Sequence, residues 1–506
     1  MRNILLIVTD QQRFDSLSCY GCTAIKTPNL DKLASQGARF TNCYVDNPVC
    51  TPSRASMFTG KPIMGHGVYR LHDDLPTSET PFPAHLREAG FETALYGKLH
   101  LSSRVFEDEN RHPRDGFEIY EESKSPYLPP SKLNAYLPWL ESNFPGIYKR
   151  LRDKGRRFGS FPEEAHLSRW VSSRTIDFLE KHDRSRPFFC YASFFDPHDP
   201  YNDYPESAAN LVKREGLRSP VPAPTDWRTV PAGVLREHRH GYLGSMEAYS
   251  TEQIEAMRIG YYASVAFMDR EVGRILDTLD ELGYGDDTLV VFTSDHGDML
   301  GDHGLLAKGA FFYEPCVKVP LIVRAPGQIA PQTVCNSLVQ GHDLAATVLQ
   351  AAGITDEAVF EHMPDSHDLL AAAAAGPGSG PVGGTNVGTG AADAAICLYR
   401  GTSICDTKQY FDPPINAGMY RWDRYKLNLY FAEHDAGDHP AGQLFDLDAD
   451  PLEQNDLWSS DAHREVKLDL ILRFTSQVNE MDRKYNTSRG GQHFPPQSHW
   501  SVNNPL

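Results

Sequence analysis

The N-terminal stretch Asn3-Ile4-Leu5-Leu6-Ile7-Val8-Thr9-Asp10-Gln11 begins with a continuous apolar run and ends in two polar side chains. The run at residues 3–8 predicts a buried strand, because apolar and polar residues do not alternate in it. Similar short runs occur further along the chain, at residues 91–96, 188–195, 288–293 and 319–323. The repetition indicates several buried strands.

Helical patterns lie between these strands. Residues 28–35 predict the first helix, which Thr27-Pro28 opens and Gly37 closes. A long amphipathic helix is predicted over residues 251–282, where apolar side chains recur with the helical period. Continuous apolar strands that alternate with helices predict an α/β fold, with a large and mainly parallel sheet sandwiched by helices.

The composition changes after residue 370 and divides the chain into three parts. Residues 1–370 predict one large domain, and residues 371–395 an Ala- and Gly-rich linker or loop. Residues 396–506 predict a small α+β domain with a helix near 462–482 and an antiparallel sheet, its strands at 396–400, 418–421, 425–431 and 443–446. The polar tail from residue 486 is either frayed or an arm that grips another subunit. The sequence leaves the oligomeric state open, a homo-oligomer included.

Composition excludes several classes of function. The chain has 506 residues, 40% of them hydrophobic, which is enough for a sizeable core. Its formal net charge of −18, without a basic patch, argues against binding to nucleic acid. No apolar run approaches the roughly 20 residues that span a bilayer, and the first run is too short for a signal peptide. Nine irregularly spaced cysteines are typical of reduced thiols. We therefore expect a cytoplasmic protein that does not bind membranes.

Polar clusters follow four of the predicted strands at their carboxyl ends. They are Asp10-Gln11, Lys98-Leu99-His100, Asp196-Pro197-His198-Asp199-Pro200 and Ser294-Asp295-His296-Gly297-Asp298. One such cluster alone is more simply a turn, since Asp, Gly and Pro favour turns. Ligands of open α/β sheets bind outside the carboxyl ends of the strands, so four clusters at one edge predict a functional site there.

Two of these clusters contain residues suited to a metal ion. Asp10, Gln11, Asp295 and His296 supply mostly oxygen ligands and one imidazole. Carboxylate and amide oxygens favour calcium or magnesium, whereas the imidazole is also compatible with manganese or zinc. We predict one divalent ion, with calcium as the first expectation and magnesium or manganese as the alternatives.

The segment Cys50-Thr51-Pro52-Ser53-Arg54-Ala55-Ser56-Met57-Phe58-Thr59-Gly60 is the strongest chemical signal. Thr51-Pro52 is typical of a helix start, so Cys50 is expected at a helix N-terminus beside Arg54. That environment stabilises negative charge on a thiolate or a bound oxyanion. The alternative is a structural cysteine beside an ordinary helix cap.

The segment resembles the formylglycine-dependent sulfatase family, within the alkaline phosphatase superfamily. The family pattern is Cys-x-Pro-Ser-Arg followed by a spaced Thr-Gly, and Cys50 through Gly60 matches it. Matching motifs extend to about residue 457, and they include Asp10, Tyr20-Gly21, Thr27-Pro28-Asn29-Leu30-Asp31, Gly97-Lys98-Leu99-His100, Pro197-His198-Asp199-Pro200, Ser294-Asp295-His296-Gly297, Gly301-Asp302-His303 and Leu444-Phe445-Asp446-Leu447. The resemblance implies an alkaline phosphatase-like fold, with residues 1–370 as the catalytic domain.

The resemblance also implies a mechanism. In this family a maturation enzyme oxidises the cysteine to formylglycine, and the hydrate of that aldehyde is the nucleophile, here derived from Cys50. A divalent ion would contact residue 50 and be held by Asp10, Gln11, Asp295 and His296. It would lower the pKa of the attacking hydroxyl and bind a sulfate oxygen. Arg54 would orient the nucleophile and stabilise its charge.

Four further residues match family positions near the sulfate. Lys98 and Lys308 match the sulfate-binding lysines, and His100 matches the residue that helps to deprotonate the hemiacetal. His198 matches the residue that contacts sulfate and protonates the leaving alcohol. Taken singly, each of these side chains is more typical of a solvated surface. Asp302 and His303 are expected to be turn residues near the site.

Departures from the family pattern bear on the substrate. Many members carry an acidic residue where Gln11 stands and Asn where His296 stands. Relatives that hydrolyse phosphonate monoesters and phosphodiesters also use formylglycine, but they lack the Lys-x-His element that Lys98 and His100 provide. We therefore expect a metal-dependent hydrolase of sulfate monoesters that resembles choline sulfatases and arylsulfatases. The alternatives are a phosphodiester or phosphonate monoester hydrolase, including one that accepts both substrate classes, and an inactive anion-binding protein.

The expected partners are a small sulfated or phosphodiester substrate and the maturation enzyme. The organic part of the substrate is not determined by the motifs. The loop-rich segments 102–130 and 201–250 follow motif-bearing strands and are predicted to form the rim of the pocket. Candidate contacts with the organic group are Tyr69, His72, Asp199, Tyr201 and Trp227.

Overall fold

The computed structural model describes residues 3–241, 243–375, 392–401, 414–431 and 439–489. Residues 486–489 are described by their backbone alone. Eight strands form the large sheet: β1 (Asn3–Thr9), β2 (Ala38–Tyr44), β3 (Glu92–Gly97), β4 (Ile119–Glu122), β5 (Phe188–Ser193), β6 (Thr288–Ser294), β7 (Lys318–Arg324) and β8 (Thr333–Gln340). Their spatial order is β4-β3-β5-β1-β6-β7-β2-β8.

All neighbouring strands of the large sheet are parallel except the two pairs that involve β7. The prediction of a mainly parallel sheet is confirmed, and the exception is the predicted strand at residues 319–323, which is antiparallel to both of its neighbours. The connection from β6 to β7 spans residues 295–317 and stays at the carboxyl edge, where Gly297 N–H donates to the Cys316 carbonyl. Without a crossover to the opposite edge, β7 runs back antiparallel.

The helices cover both faces of this sheet and extend into the C-terminal part. They are α1 (Pro28–Ser35), α2 (Cys50–Thr59), α3 (Ile63–His66), α4 (Phe82–Glu88), α5 (Arg104–Glu107), α6 (Tyr136–Asn143), α7 (Pro145–Lys154), α8 (Leu167–Lys181), α9 (Glu206–Ala209), α10 (Ala232–His240), α11 (Thr251–Glu281), α12 (Glu314–Val317), α13 (Asp343–Ala351), α14 (Glu357–Glu361), α15 (Leu369–Ala374) and α16 (Arg464–Arg489). The long predicted helix is α11, and a capping box of Ser250 and Gln253 starts it. No helix among these described residues is both long and apolar enough to cross a membrane.

Strand β1 lies between two hydrophobic clusters. Ile4, Leu6 and Val8 belong to one cluster, and Leu5 and Ile7 belong to the other. All five side chains have no exposed surface. Burial on both faces explains why the sequence of β1 is a continuous apolar run.

A second sheet forms the C-terminal part. Its four antiparallel strands are β9 (Ala394–Gly401), β10 (Ile415–Trp422), β11 (Tyr425–Phe431) and β12 (Gly442–Asp446). Leu470 and Phe474 of α16 are buried against it, and the Leu398 N–H donates to the Asp46 carbonyl across to the large unit. The fold class predicted from the sequence is therefore confirmed.

The predicted linker 371–395 overlaps helix α15 at its start and strand β9 at its end. Its residues 376–391 lie outside the described part of the chain. Residues 490–506 of the predicted tail also lie outside it, whereas residues 486–489 complete α16.

Candidate active site

The four predicted polar clusters meet at the carboxyl edge of the large sheet. Strands β3, β5, β1 and β6 are consecutive neighbours in the sheet. Asp10 follows β1, Lys98 follows β3, and Asp295 follows β6. All three side chains are buried. Because these strands are parallel, motifs that are far apart in the sequence lie together at one edge of the sheet, where ligands of open α/β sheets bind.

Cys50 is the first residue of helix α2. Val49 precedes it in extended conformation, and the side-chain oxygen of Asn47 accepts the N–H of Val49 at 2.9 Å. Gly60 ends the helix at a φ of 68°, a left-handed conformation that suits glycine. Every residue of α2 is buried. The helix thus fixes residue 50 inside the protein, with its N-terminus facing the site.

The Cys50 sulfur has three polar neighbours. The Lys308 Nζ and the His296 Nε2 each lie 3.1 Å from Sγ, and the Asp10 Oδ1 lies 3.9 Å away. Burial alone raises the pKa of a thiol, but Lys308 and Lys98 outweigh burial and lower the pKa of Cys50 to about 7. The environment therefore stabilises negative charge at this position.

One cluster among the described residues has the composition of a metal site. Asp10, Cys50, Asp295 and His296 are buried, and each offers a ligand atom within 4.8 Å of the others. Two ligands on opposite sides of a calcium ion, at about 2.3–2.6 Å each, lie roughly 5 Å apart, so the spacing fits one ion. The donor set of two carboxylates and an imidazole also suits a divalent cation.

The surrounding bonds orient the metal-binding side chains. The His296 Nδ1 lies 2.9 Å from the Gly297 carbonyl, so Nδ1 carries the proton, and Nε2, which faces the Cys50 sulfur, is the nitrogen that would bind an ion. The Gln11 Nε2 donates to Asp298 at 2.7 Å, and its Oε1 accepts from Lys308 at 2.8 Å. The predicted ligand Gln11 therefore presents its oxygen toward Lys308.

Arg54 joins helix α2 to the carboxyl edge of the large sheet. Its Nε donates to Asp295 Oδ2 at 2.7 Å, and its Nη1 donates to the Lys98 carbonyl at 2.8 Å. Its Nη2 lies 3.5 Å from Asp10 Oδ2. Burial lowers the pKa of a guanidinium, but Asp295 outweighs burial and raises that of Arg54. The permanent cation contacts two buried carboxylates and locks α2 in position.

Lys98 and Lys308 bring two further cations into the pocket. Both side chains are almost fully buried, and the ammonium of Lys98 pairs with Asp10. Although burial raises the pKa of Asp10, Lys98 and its cationic neighbours hold it well below its usual value. Arg54, Lys98 and Lys308 exceed the two carboxylates by one charge, which favours an anionic ligand.

Local backbone structure explains the Gly97-Lys98-Leu99-His100 motif. Gly97 ends β3 at a φ of 103°, and a Cβ there would collide with the carbonyl oxygen of Ser193 on β5. A close approach of two strands therefore requires glycine immediately before Lys98. His100 adopts a φ of 60°, and its Nε2 lies 3.3 Å from the Thr51 hydroxyl. This turn brings His100 beside the start of α2.

The two histidines have low pKa values. Burial and Lys98 lower the pKa of His100 well below its usual value, and burial and Lys308 do the same for His198. The His198 Nδ1 lies 2.8 Å from the Asp199 carbonyl, and its Nε2 lies 3.0 Å from the Lys308 Nζ. Both imidazoles are therefore neutral at neutral pH and able to accept a proton.

Asp298 supports the site through hydrogen bonds, although it was not among the predicted site residues. One oxygen of its carboxylate accepts both the Gln11 amide and the Tyr201 hydroxyl, at 2.7 Å and 2.6 Å. Tyr201 was predicted as a possible rim contact, but it is buried and supports this network. The signal for Asp298 was present in the sequence, since it lies two residues after His296.

The remaining predicted residues lie around the site or away from it. Asp302 accepts from Arg13 at 2.9 Å, and the ring of His303 stacks on Tyr313 at 3.9 Å, consistent with structural turn residues. Three further candidates have other contacts, namely Tyr69 beneath the Arg400 guanidinium, Trp227 stacked on His238, and Asp199 paired with Arg156. His72 is exposed.

Comparisons with known proteins agree with this geometry. The family model described as Sulfatase matches residues 2–354. An arylsulfatase from Clostridium perfringens is 31% identical over 384 residues, which are 73% of this chain and 77% of that protein. A choline-sulfatase from Rhizobium meliloti is 30% identical over 376 residues, covering 71% of this chain and 69% of that protein.

A solved structure shows the same fold. The phosphonate monoester hydrolase of Agrobacterium radiobacter superposes with a TM-score of 0.75 and 23% identity, covering 96% of both chains. The match to the family model spans most of the chain, and it includes the strands that carry Asp10, Lys98, His198 and Asp295. The chain therefore belongs to the sulfatase family and is a sulfuric ester hydrolase.

Proposed function

We propose that the protein hydrolyses sulfate monoesters to an alcohol and sulfate, with a nucleophile formed by oxidation of Cys50 to formylglycine. The observation that carries the proposal is the position of the Cys50 sulfur at the start of α2, 3.1 Å from both Lys308 and His296. A structural cysteine has no need of a buried cation and an imidazole in contact with it. The proposal also requires a maturation enzyme as a partner.

The aldehyde supplies, in its hydrated form, one hydroxyl that attacks sulfur and a second whose deprotonation later expels sulfate. Lys98 and Lys308 bind the sulfate oxygens, because the Lys308 ammonium contacts residue 50 and the Lys98 ammonium pairs with the adjoining Asp10. Arg54 holds the attacking oxygen in line through its bonds to Asp295 and the Lys98 carbonyl. These cations stabilise the charge that develops on the transferring group.

His198 protonates the leaving alkoxide in this mechanism. Its imidazole is neutral in the unliganded site, with Nε2 facing Lys308. A bound sulfate ester brings negative charge beside the ring and raises the pKa of His198, so the imidazole takes up a proton as substrate binds. Cleavage of the sulfur–oxygen bond then transfers that proton to the alcohol.

His100 acts in the second half of the reaction. Its neutral imidazole, beside the Thr51 hydroxyl at the start of α2, removes the proton of the second hydroxyl of residue 50. Loss of that proton would let sulfate leave and restore the aldehyde, which water would hydrate again.

Asp10, Gln11, Asp295 and His296 would hold a divalent cation together with residue 50. That ion would act as a Lewis acid, lowering the pKa of the attacking hydroxyl and polarising the sulfate. Calcium is the ion we propose, because the carboxylate and amide donors are oxygen ligands. The single imidazole keeps manganese as the alternative.

The second candidate function is hydrolysis of phosphodiesters or phosphonate monoesters. It is supported by the fold shared with a phosphonate monoester hydrolase. The Lys98 and His100 pair favours sulfate esters, because Lys98 pairs with Asp10 and His100 contacts Thr51, both of which adjoin residue 50.

The test compares kcat/KM for aryl sulfate and aryl phosphodiester substrates, using matured enzyme with calcium or manganese. A preference for the sulfate that is lost in Cys50→Ala and His198→Ala supports the proposal. A large preference for the diester overturns the choice of substrate. Unchanged activity in both variants overturns the site.

A further inference from the structure

Glu107 lies outside the motifs and outside the mechanism described above, yet it bonds to the segment that carries His100. Its Oε1 accepts two consecutive backbone N–H groups, from Leu101 at 2.8 Å and from Ser102 at 3.0 Å. These are the two residues that follow His100. Glu107 ends the short helix α5 and is 5% exposed. One buried carboxylate oxygen therefore fixes the exit of the His100 turn.

His100 needs such support because of its backbone conformation. A non-glycine residue at a φ of 60° is strained and persists only where the surroundings impose that conformation. Gly97 precedes the turn in a left-handed conformation as well. The only described side-chain acceptor of the Leu101 and Ser102 N–H groups is Glu107. Removing it leaves both donors buried and unpaired, a state that favours rearrangement of the turn.

Lys124 lies beside the second oxygen of Glu107, among three carboxylates that also include Asp108 and Glu122, and leaves the hydrogen-bonding oxygen free of cations. The Lys124 Nζ lies 3.7 Å from Oε2 of Glu107 and 3.4 Å from Asp108. Lys124 is itself 5% exposed, so the carboxylate and the ammonium are buried together. Oε1 is left to the two backbone donors, which is the arrangement expected of a positioning group.

We propose that Glu107 is a positioning residue for His100 and sets the rate of sulfate release. The inference rests on the proposed role of His100 in the second half of the reaction. Loss of Glu107 displaces the imidazole from the second hydroxyl of residue 50, but it leaves His198 and the two sulfate-binding lysines in place. Alcohol release then continues while sulfate release slows.

The experiment measures pre-steady-state release of the alcohol from an aryl sulfate, using enzymes with equal formylglycine content. We expect Glu107→Ala to show a rapid burst of about one alcohol per active site, followed by a steady rate about 10–100-fold below the wild type. Glu107→Gln keeps an oxygen that accepts both N–H groups and is expected to stay close to the wild-type rate. Asp108→Asn is the matched control, because it contacts Lys124 but not the His100 turn.

Two further measurements test the positioning role of Glu107 separately from the proposed role of His100. Amide hydrogen exchange at Leu101 and Ser102, measured in the cysteine form, is expected to accelerate in Glu107→Ala and not in Asp108→Asn. The double variant Glu107→Ala/His100→Ala is expected to be no slower than His100→Ala, because both changes remove the same function.

A His100→Ala enzyme without a burst contradicts the proposed role of His100. The positioning role is overturned if His100→Ala shows a burst but Glu107→Ala behaves as the wild type. It is also overturned if His100→Ala shows a burst and Glu107→Ala slows both half-reactions equally. Full additivity of the two losses also overturns it.

Discussion

Lys308→Ala removes a cation in contact with residue 50. The Lys308 Nζ contacts the Cys50 sulfur at 3.1 Å and the His198 Nε2 at 3.0 Å, so it touches both reacting ends of the site. Two unit charges about 4 Å apart interact by roughly 4 kcal/mol at an effective dielectric constant of about 20. Only the part of this energy that grows in the transition state accelerates the reaction.

The expected loss follows from that difference. Removing one preorganised donor from a buried anion site costs about 10²–10³-fold in rate, or roughly 3–4 kcal/mol. We therefore expect kcat/KM for an aryl sulfate to fall by about that factor in Lys308→Ala. The matched control is Lys318→Ala. Lys318 begins strand β7, and its ammonium pairs with Glu314 instead of with a residue of the site.

The assay requires matured enzyme with equal formylglycine content in all variants. A decrease of less than about fivefold in Lys308→Ala, well below the loss expected for a transition-state contact, refutes the assignment of Lys308 to the sulfate site. An equal decrease in Lys318→Ala refutes it as well, because the loss then reflects general destabilisation. Unfolding midpoints of both variants provide the correction for stability.

Three further predictions concern residue 50, the metal and the core. In unmatured, metal-free protein, the ultraviolet absorbance of the Cys50 thiolate should appear as pH rises through its pKa of about 7. Subtracting the signal of Cys50→Ala removes the absorbance of the other cysteines. In Lys308→Ala the midpoint should move up toward 9.0, the ordinary thiol pKa, and an unchanged midpoint contradicts the geometry. Saturating calcium or manganese at about 100 times Kd should stabilise the fold by roughly 2.7 kcal/mol, an effect absent in Asp295→Asn; identical melting with and without metal argues against the site. Phe58→Ala should cost about 3–5 kcal/mol in denaturant unfolding, because the ring is fully buried and stacks on Phe82 at 5.2 Å. A cost below about 1 kcal/mol contradicts the packing of α2.

The large sheet could be predicted because its central strands have a strong signal. The apolar run of β1 is too short for a typical helix and stops at a polar pair, so its assignment as a buried strand was safe. Strands β2, β4 and β8 were missed. All three are partly exposed and contain polar side chains such as Asn42, Glu121 and Asn336, which hide the strand pattern.

The direction of β7 was not accessible from periodicity. An apolar run looks the same in a parallel and in an antiparallel strand, and only the path of the preceding connection decides between them. That connection carries Lys308 and folds back across the carboxyl edge through the bond from Gly297 to Cys316. The same loop geometry brings Lys308 to residue 50.

The site could be predicted from motifs, but its supporting residues could not. Cys50, Arg54 and Lys98 lie in short patterns of high specificity, and the structure brings them together. Glu107 accepts two backbone N–H groups, and Asp298 accepts an amide and a hydroxyl. Such contacts depend on distances between loops and leave no periodic pattern in the sequence.

The central claim is that a formylglycine derived from Cys50 carries the hydrolysis of sulfate esters. Mass spectrometry of the peptide that contains Cys50 tests it most directly, on protein produced with and without a formylglycine-generating enzyme. We predict that aryl sulfatase activity rises in proportion to the fraction of aldehyde at residue 50 and is absent from the pure thiol form. Full activity in protein whose Cys50 is entirely unmodified would contradict the account.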